Sequence, residues 1–171
     1  VTGLAAERRL PVKLWRIATE TRSHAANDLS GAGAAMRPGR WNREGERVVY
    51  CAQSLSLAVL ETTAYVNAGG LPLNRFVVAI DVSDATWKSR MQLQPADLDR
   101  AWDAIPAGLA SIRTGSRWLT EARSALLLVP SVIVPEEFAV LINPAHADVA
   151  HVAATTTRRF DYHSVFRAEE P

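Results

Sequence analysis

Apolar positions recur along this chain in short runs, separated by polar, glycine- and proline-bearing breaks. Residues 12–17 (VKLWRI) alternate with the two-residue period of a strand. Residues 25–38 are rich in Gly, Ala, Ser and Asn and read as a loop. A second strand is predicted at 47–52. Ser54 then stands where a helix cap belongs, and the helix it opens runs to about Asn67, stopped by Gly69-Gly70. A strand follows at 75–82 (RFVVAIDV). Residues 95–105 predict a short helix with Pro95 in its first turn, and 116–123 another. Residues 125–134 (ALLLVPSVIV) form a buried strand interrupted by Pro130. Late strands are expected at 149–157 and 158–163.

This order lacks the regular strand–helix alternation of a doubly wound parallel sheet. It predicts an α+β single domain with a mixed, largely antiparallel sheet. The glycines of Gly31-Ala32-Gly33 look superficially like a dinucleotide-binding turn. The third glycine is missing, no strand directly precedes them, and Pro38 follows, so that reading carries little weight.

Composition narrows the picture. The 171 residues suit one domain, 48% of them are hydrophobic, and 19 basic residues stand against 18 acidic ones. That balance gives no reason to expect a nucleic acid or a membrane surface as the main partner. Residues 1–10 carry charge without an apolar stretch behind it and do not read as a signal peptide. The one cysteine, Cys51, sits in an apolar run and reads as a small buried thiol, which fits a reducing cytoplasmic setting. The histidines have no metal-binding spacing, and no metal is expected.

Four places carry candidate chemistry. Glu61 is the only charged residue between Val48 and Asn74. Its helix is apolar almost all round, which predicts burial, and a lone carboxylate there is costly unless paired. It is either tied to an internal Arg or to backbone N–H groups, or it forms the floor of a pocket. Arg40 and Trp41 follow the glycine-rich loop. The guanidinium fork suits phosphate oxygens and the indole offers a face to an aromatic ligand; the competing reading is an Arg stacked on a partly buried Trp. Arg16 alternates away from Trp15 and Ile17, and periodicity alone favours the solvated face. Ser131 is the single hydroxyl of residues 126–135, at a bend made by Pro130. It either touches a ligand or bonds a nearby carbonyl.

The order of these pieces resembles a known family. Leu14-Trp15-Arg16-Ile17 comes first, then Gly39-Arg40-Trp41-Asn42. Val49-Tyr50-Cys51-Ala52 follows, with Ser56-Leu57-Ala58 and Leu60-Glu61 after it. Leu128-Val129-Pro130-Ser131 and Leu141-Ile142-Asn143-Pro144 with His146 complete the set. Together they resemble the RES domain, across residues 12–165, with 1–11 and 166–171 as flanking termini. The run Phe138-Ala139-Val140 departs from the family where an Asn is expected, which affects a local turn.

The resemblance implies a fold similar to that of ADP-ribosyltransferases. It also implies the toxin half of a toxin–antitoxin pair. The implied activity is degradation of NAD⁺ at the nicotinamide–ribose bond, by phosphorolysis or hydrolysis, causing growth arrest. NAD⁺ is then the substrate, with inorganic phosphate as a co-substrate and no permanently bound cofactor. One alternative is a protein ADP-ribosyltransferase using the same residues. Another is an inactive binding module in a DNA-bound regulatory complex. The implied partner is an Xre-like antitoxin covering the active site, with a homodimer inside the complex. Carried onto this chain, the catalytic set is Glu61, Arg40 and Ser131, and the ligand-binding set is Arg16, Arg40, Tyr50 and Ser131.

Overall fold

The computed structural model describes residues 11–66 and 71–166. Its strands are β1 (Val12–Thr19), β2 (Val49–Ala52), β3 (Arg75–Val82), β4 (Met91–Gln92), β5 (Leu126–Pro130), β6 (Phe138–Ile142) and β7 (Val152–Phe160). The α-helices are α1 (Ala32–Met36), α2 (Leu55–Thr63), α3 (Asp84–Lys88) and α4 (Leu109–Glu121). All seven strands form one sheet, in the order β4-β5-β6-β2-β1-β3-β7. Only the β4–β5 pair is parallel. The expected α+β domain with a mixed, largely antiparallel sheet is what the chain forms.

The sheet buries Leu14, Val49, Val78, Ile80, Leu126, Leu128, Val140 and Ile142 in one cluster. Every residue of β5 is buried. Such apolar runs, covered on both faces, read as continuous rather than alternating strands. A second cluster packs Trp41, Trp102 and Trp118 against Val48, Leu127, Val129 and Leu141.

Several elements differ from expectation for identifiable reasons. The loop of residues 25–38 contains the short helix α1. The helix expected at 95–105 is only a single 3₁₀ turn, Pro95–Asp97. Leu98 and Trp102 share helical spacing because both pack in the tryptophan cluster, not because the backbone between them is helical. Helix α4 begins at Leu109, well before 116. Its buried face is made of Ser111, Gly115, Ser116 and Trp118, so small polar residues conceal the apolar stripe. A Cβ on Gly115 would lie 1.8 Å from the Trp41 carbonyl oxygen, so only glycine lets these backbones meet.

Strand β6 has no counterpart among the expected elements, and Phe138-Ala139-Val140 lies inside it rather than at a turn. The two late strands are one strand. The break expected after Thr157 is a bulge: Val77 pairs with Arg158 and Val78 with Thr156. The α2 helix starts where expected, with the Ser54 hydroxyl accepting from Leu57 N–H. It is not buried all round: only Leu57 and Ala58 are, while Leu60, and Tyr65 just beyond its end, are exposed. The expected stop at Asn67 and Gly69-Gly70 lies outside the described residues.

One feature of the sheet positions the site. Strands β1 and β3 pair along eight residues, but β1 and β2 pair only at Trp15 and Ala52. The sheet therefore splays between β1 and β2, and a cavity opens beside the gap.

Candidate functional site

That cavity has a volume of about 400 Å³. Arg16 and Ile17 reach it from β1, Tyr50 to Ala52 from β2, Glu61 and Thr62 from α2, and Arg37 to Trp41 from the loop after α1. Pro130 from the end of β5 and Val132 just beyond it close another side. Of the five residues in the expected catalytic and ligand-binding sets, Arg16, Arg40, Tyr50 and Glu61 line this one cavity, as does Trp41. The fifth, Ser131, lies directly behind it.

Glu61 is half-buried and its Oε1 accepts the Ser131 hydroxyl proton at 2.6 Å. No cation forms an ion pair with it among the described residues. Of the two readings open for Glu61, the geometry realises the pocket carboxylate. Ser131 itself is buried. Its oxygen also accepts from Ile133 N–H and Val134 N–H, both at 3.1 Å. A hydroxyl has one proton and two lone pairs, so this one is fully committed. In this arrangement its proton goes to Glu61 and its lone pairs to the two N–H groups.

Arg40 donates from Nη1 to the Trp102 and Ala104 carbonyls at 2.9 and 2.8 Å. Its Nε and Nη2 have no hydrogen-bond partner among the described residues, leaving one edge of the fork for an anion. Trp41 is not a ligand platform. It is buried and stacked on Trp102 with centroids 6.3 Å apart.

Arg16 is half-buried and lines the cavity, against the solvated face that alternation favours. Ile17 and Ala18 are both buried, so alternation fails at this end of β1. One Nη1 of Arg16 donates to the Asp28 carbonyl at 3.0 Å. Burial pushes its pKa down, against the pull of Cys51 and Asp28. Arginine nevertheless stays charged in proteins, so a positive group is held in a partly dry wall. Cys51 beside it is buried, donates to the Val140 carbonyl and is pushed up to about 12 by burial. It is the inert thiol expected.

Tyr50 donates to Asn42 Oδ1 at 2.8 Å and accepts from Trp41 N–H at 3.0 Å. Burial pushes its phenol well above the ordinary value, so it stays protonated. Gly39 rests on its ring; a Cβ there would come within 2.8 Å of the phenol.

The sequence reading missed the residue that ties this loop together. Asn42 is fully buried. Its Oδ1 also accepts from Gly39 N–H, and its Nδ2 faces the carbonyls of Ala34, Arg43 and Glu46 within 3.0 Å. Buried amides with full partner sets fix a loop in one conformation. Only its place in Gly39-Arg40-Trp41-Asn42 marked it. Arg37, also on the cavity wall, was not singled out either.

Fold and site together define a class: a one-sheet α+β domain whose splayed strands frame an arginine-lined cavity with one oriented carboxylate. Comparison with known proteins makes the class specific. The RES domain family matches residues 13–163, and the chain belongs to that family. RES domains are ADP-ribosyltransferase-like in fold. The chain is 51% identical over 153 residues to a Prs ADP-ribosylating toxin of Sphingobium sp. strain YBL2, covering 90% of this chain and 95% of that one. It is 36% identical to Toxin Res of Yersinia enterocolitica, over 78% of this chain and 84% of that protein. Toxin Res of Photorhabdus laumondii is 35% identical, with coverage of 78% and 83%.

Proposed function

We propose that this chain is a toxin that binds NAD⁺ in the cavity and cleaves the nicotinamide–ribose bond. The observation that carries this is the Glu61 carboxylate, open to the cavity, unpaired by any cation among the described residues and aimed by Ser131. When the bond breaks, its electron pair goes to the nicotinamide ring, which becomes neutral. The ribose carbon left behind becomes electron-poor, as in other oxocarbenium-like transfers. A fixed carboxylate stabilises that charge and accepts hydrogen bonds from ribose hydroxyls. The acceptor then bonds the same carbon; water or a protein side chain releases its proton to solvent, and a phosphate oxygen already ionised has none to lose. Arg16 and Arg40 bind phosphate oxygens, and Tyr50 packs against the nicotinamide.

Phosphate, water or a protein can each serve as acceptor in this scheme. The 51% identity to a toxin named for ADP-ribosylation favours a protein over phosphorolysis or hydrolysis. Incubation with adenylate-labelled NAD⁺, with and without phosphate and with cell lysate, separates them. Label on protein bands supports transfer to protein; free ADP-ribose phosphate supports phosphorolysis. Replacing Glu61 by Gln is expected to lower NAD⁺ consumption by about a hundredfold or more and to abolish growth arrest on induction. Undiminished toxicity in Glu61→Gln would sink the reading and favour a non-enzymatic module.

A cell making such a toxin needs it restrained, which supports an Xre-like antitoxin over the cavity mouth. Exposed Tyr65 on the cavity wall offers apolar surface for it. A homodimer within that complex and action in the cytoplasm, on the cellular NAD⁺ pool, complete the proposal.

A further inference from the structure

We infer that Arg37 is a specificity-determining residue that grips the pyrophosphate of the dinucleotide; this rests on the NAD⁺ reading of the cavity. Three arginines are among the residues that line the cavity, Arg16, Arg37 and Arg40. Two are tethered from behind. Arg16 donates to the Asp28 carbonyl, and Arg40 to the carbonyls of Trp102 and Ala104. No hydrogen bond, ion pair or ring contact holds the Arg37 side chain among the described residues, and it is exposed. Its whole donor fork is available to an anion.

The backbone beneath it is fixed. Arg37 N–H donates to the Gly33 carbonyl at 3.0 Å, closing α1. Pro38 disfavours the helical region for the residue before it, and Arg37 lies outside that region, with φ −132° and ψ 86°. Gly39 is pinned by Asn42 Oδ1 at 2.9 Å and by the Tyr50 ring. A free head on a rigid stem can close over a ligand without a loop rearrangement.

Charge points to the same ligand. The wall carries three arginines against one carboxylate, Glu61. A dinucleotide pyrophosphate, with one negative charge on each phosphate, balances that excess. Glu61 and Tyr50 deal with the ribose and nicotinamide, which leaves the phosphates to the arginines. Arg37 then sets the preference for a dinucleotide over a nucleoside lacking phosphate.

The test compares wild type, Arg37→Ala and Arg37→Lys. Calorimetry with ADP-ribose and, separately, nicotinamide is run alongside the kinetics of NAD⁺ cleavage. Arg37→Ala is expected to weaken ADP-ribose about tenfold or more and to raise KM for NAD⁺. Nicotinamide affinity and kcat should stay within about twofold. Arg37→Lys should recover part of the loss, because it keeps the charge without the fork. If Arg37→Ala binds ADP-ribose as wild type does, the assignment is wrong while the NAD⁺ reading stands. If wild type binds neither ADP-ribose nor NAD⁺, the reading itself fails and takes this inference with it.

Discussion

The Ser131 hydroxyl has a single proton, and Glu61 takes it at 2.6 Å. Removing that oxygen has two separable effects. Ser131→Ala frees the carboxylate and is expected to lower kcat about tenfold or more, with KM for NAD⁺ little changed, in steady-state kinetics. It also strips Ile133 N–H and Val134 N–H of their acceptor. That should cost about 1–3 kcal/mol in urea unfolding. A rise in KM with unchanged kcat would mean that Ser131 touches substrate after all. At this scale the sequence was informative wherever a residue was out of keeping with its surroundings. Glu61 stood alone in an apolar helix, and Ser131 alone in an apolar strand. Arg37 and Asn42 sit in a polar loop, where another Arg or Asn stands out from nothing, so the place of Arg37 on the cavity wall and the hydrogen bonds of Asn42 became visible only in three dimensions.

Elements with a clean period were legible: β1, β3 and the start of α2 lie where the pattern puts them. Helix α4 was half hidden because Ser111, Gly115 and Ser116 share its inner face with Trp118, and Gly115 is there for close approach to Trp41 rather than for hydrophobicity. Gly115→Ala is accordingly expected to be severely destabilising, by about 3 kcal/mol or more, in thermal or urea melts. A near-wild-type midpoint would show that α4 can retreat from Trp41. The loop behind the cavity is tied by Asn42 rather than by regular structure. Asn42→Ala deletes bonds to Gly39, Tyr50 and three carbonyls. It should lower stability by about 2–4 kcal/mol and weaken ADP-ribose binding, because Arg37, Arg40 and Tyr50 lose their common support. Intact binding in a folded Asn42→Ala variant would contradict that coupling.

The whole molecule should be alkali-sensitive. Burial pushes the Cys51 thiol up to about 12, whereas an unfolded chain releases that proton near pH ~8.5. Between these values the folded state holds more protons than the unfolded one, so stability falls as pH rises. The contribution is intact below about pH 8.5 and fades towards the folded value; Tyr50, shifted the same way, adds to the loss at the top of the range. The urea midpoint should drop as pH is raised above 9, less steeply in Cys51→Ala. Rapid labelling of the native thiol at pH 8 would contradict the burial on which this depends. The α+β class was legible at this scale because element order constrains topology. The splay between β1 and β2 was not, because it arises from register between segments far apart in sequence.

Strand order also sets when the cavity can be completed. The neighbours of β2 are β1 and β6, and its contact with β1 is a single pair. Its main support, β6, is synthesised only at residues Phe138–Ile142. The ribosome must therefore pass that point before the wall bearing Tyr50 is braced and the Ser131–Glu61 pair can close. A chain cut before Phe138 would therefore lack the strand that braces Tyr50, and its cavity wall would stay incomplete.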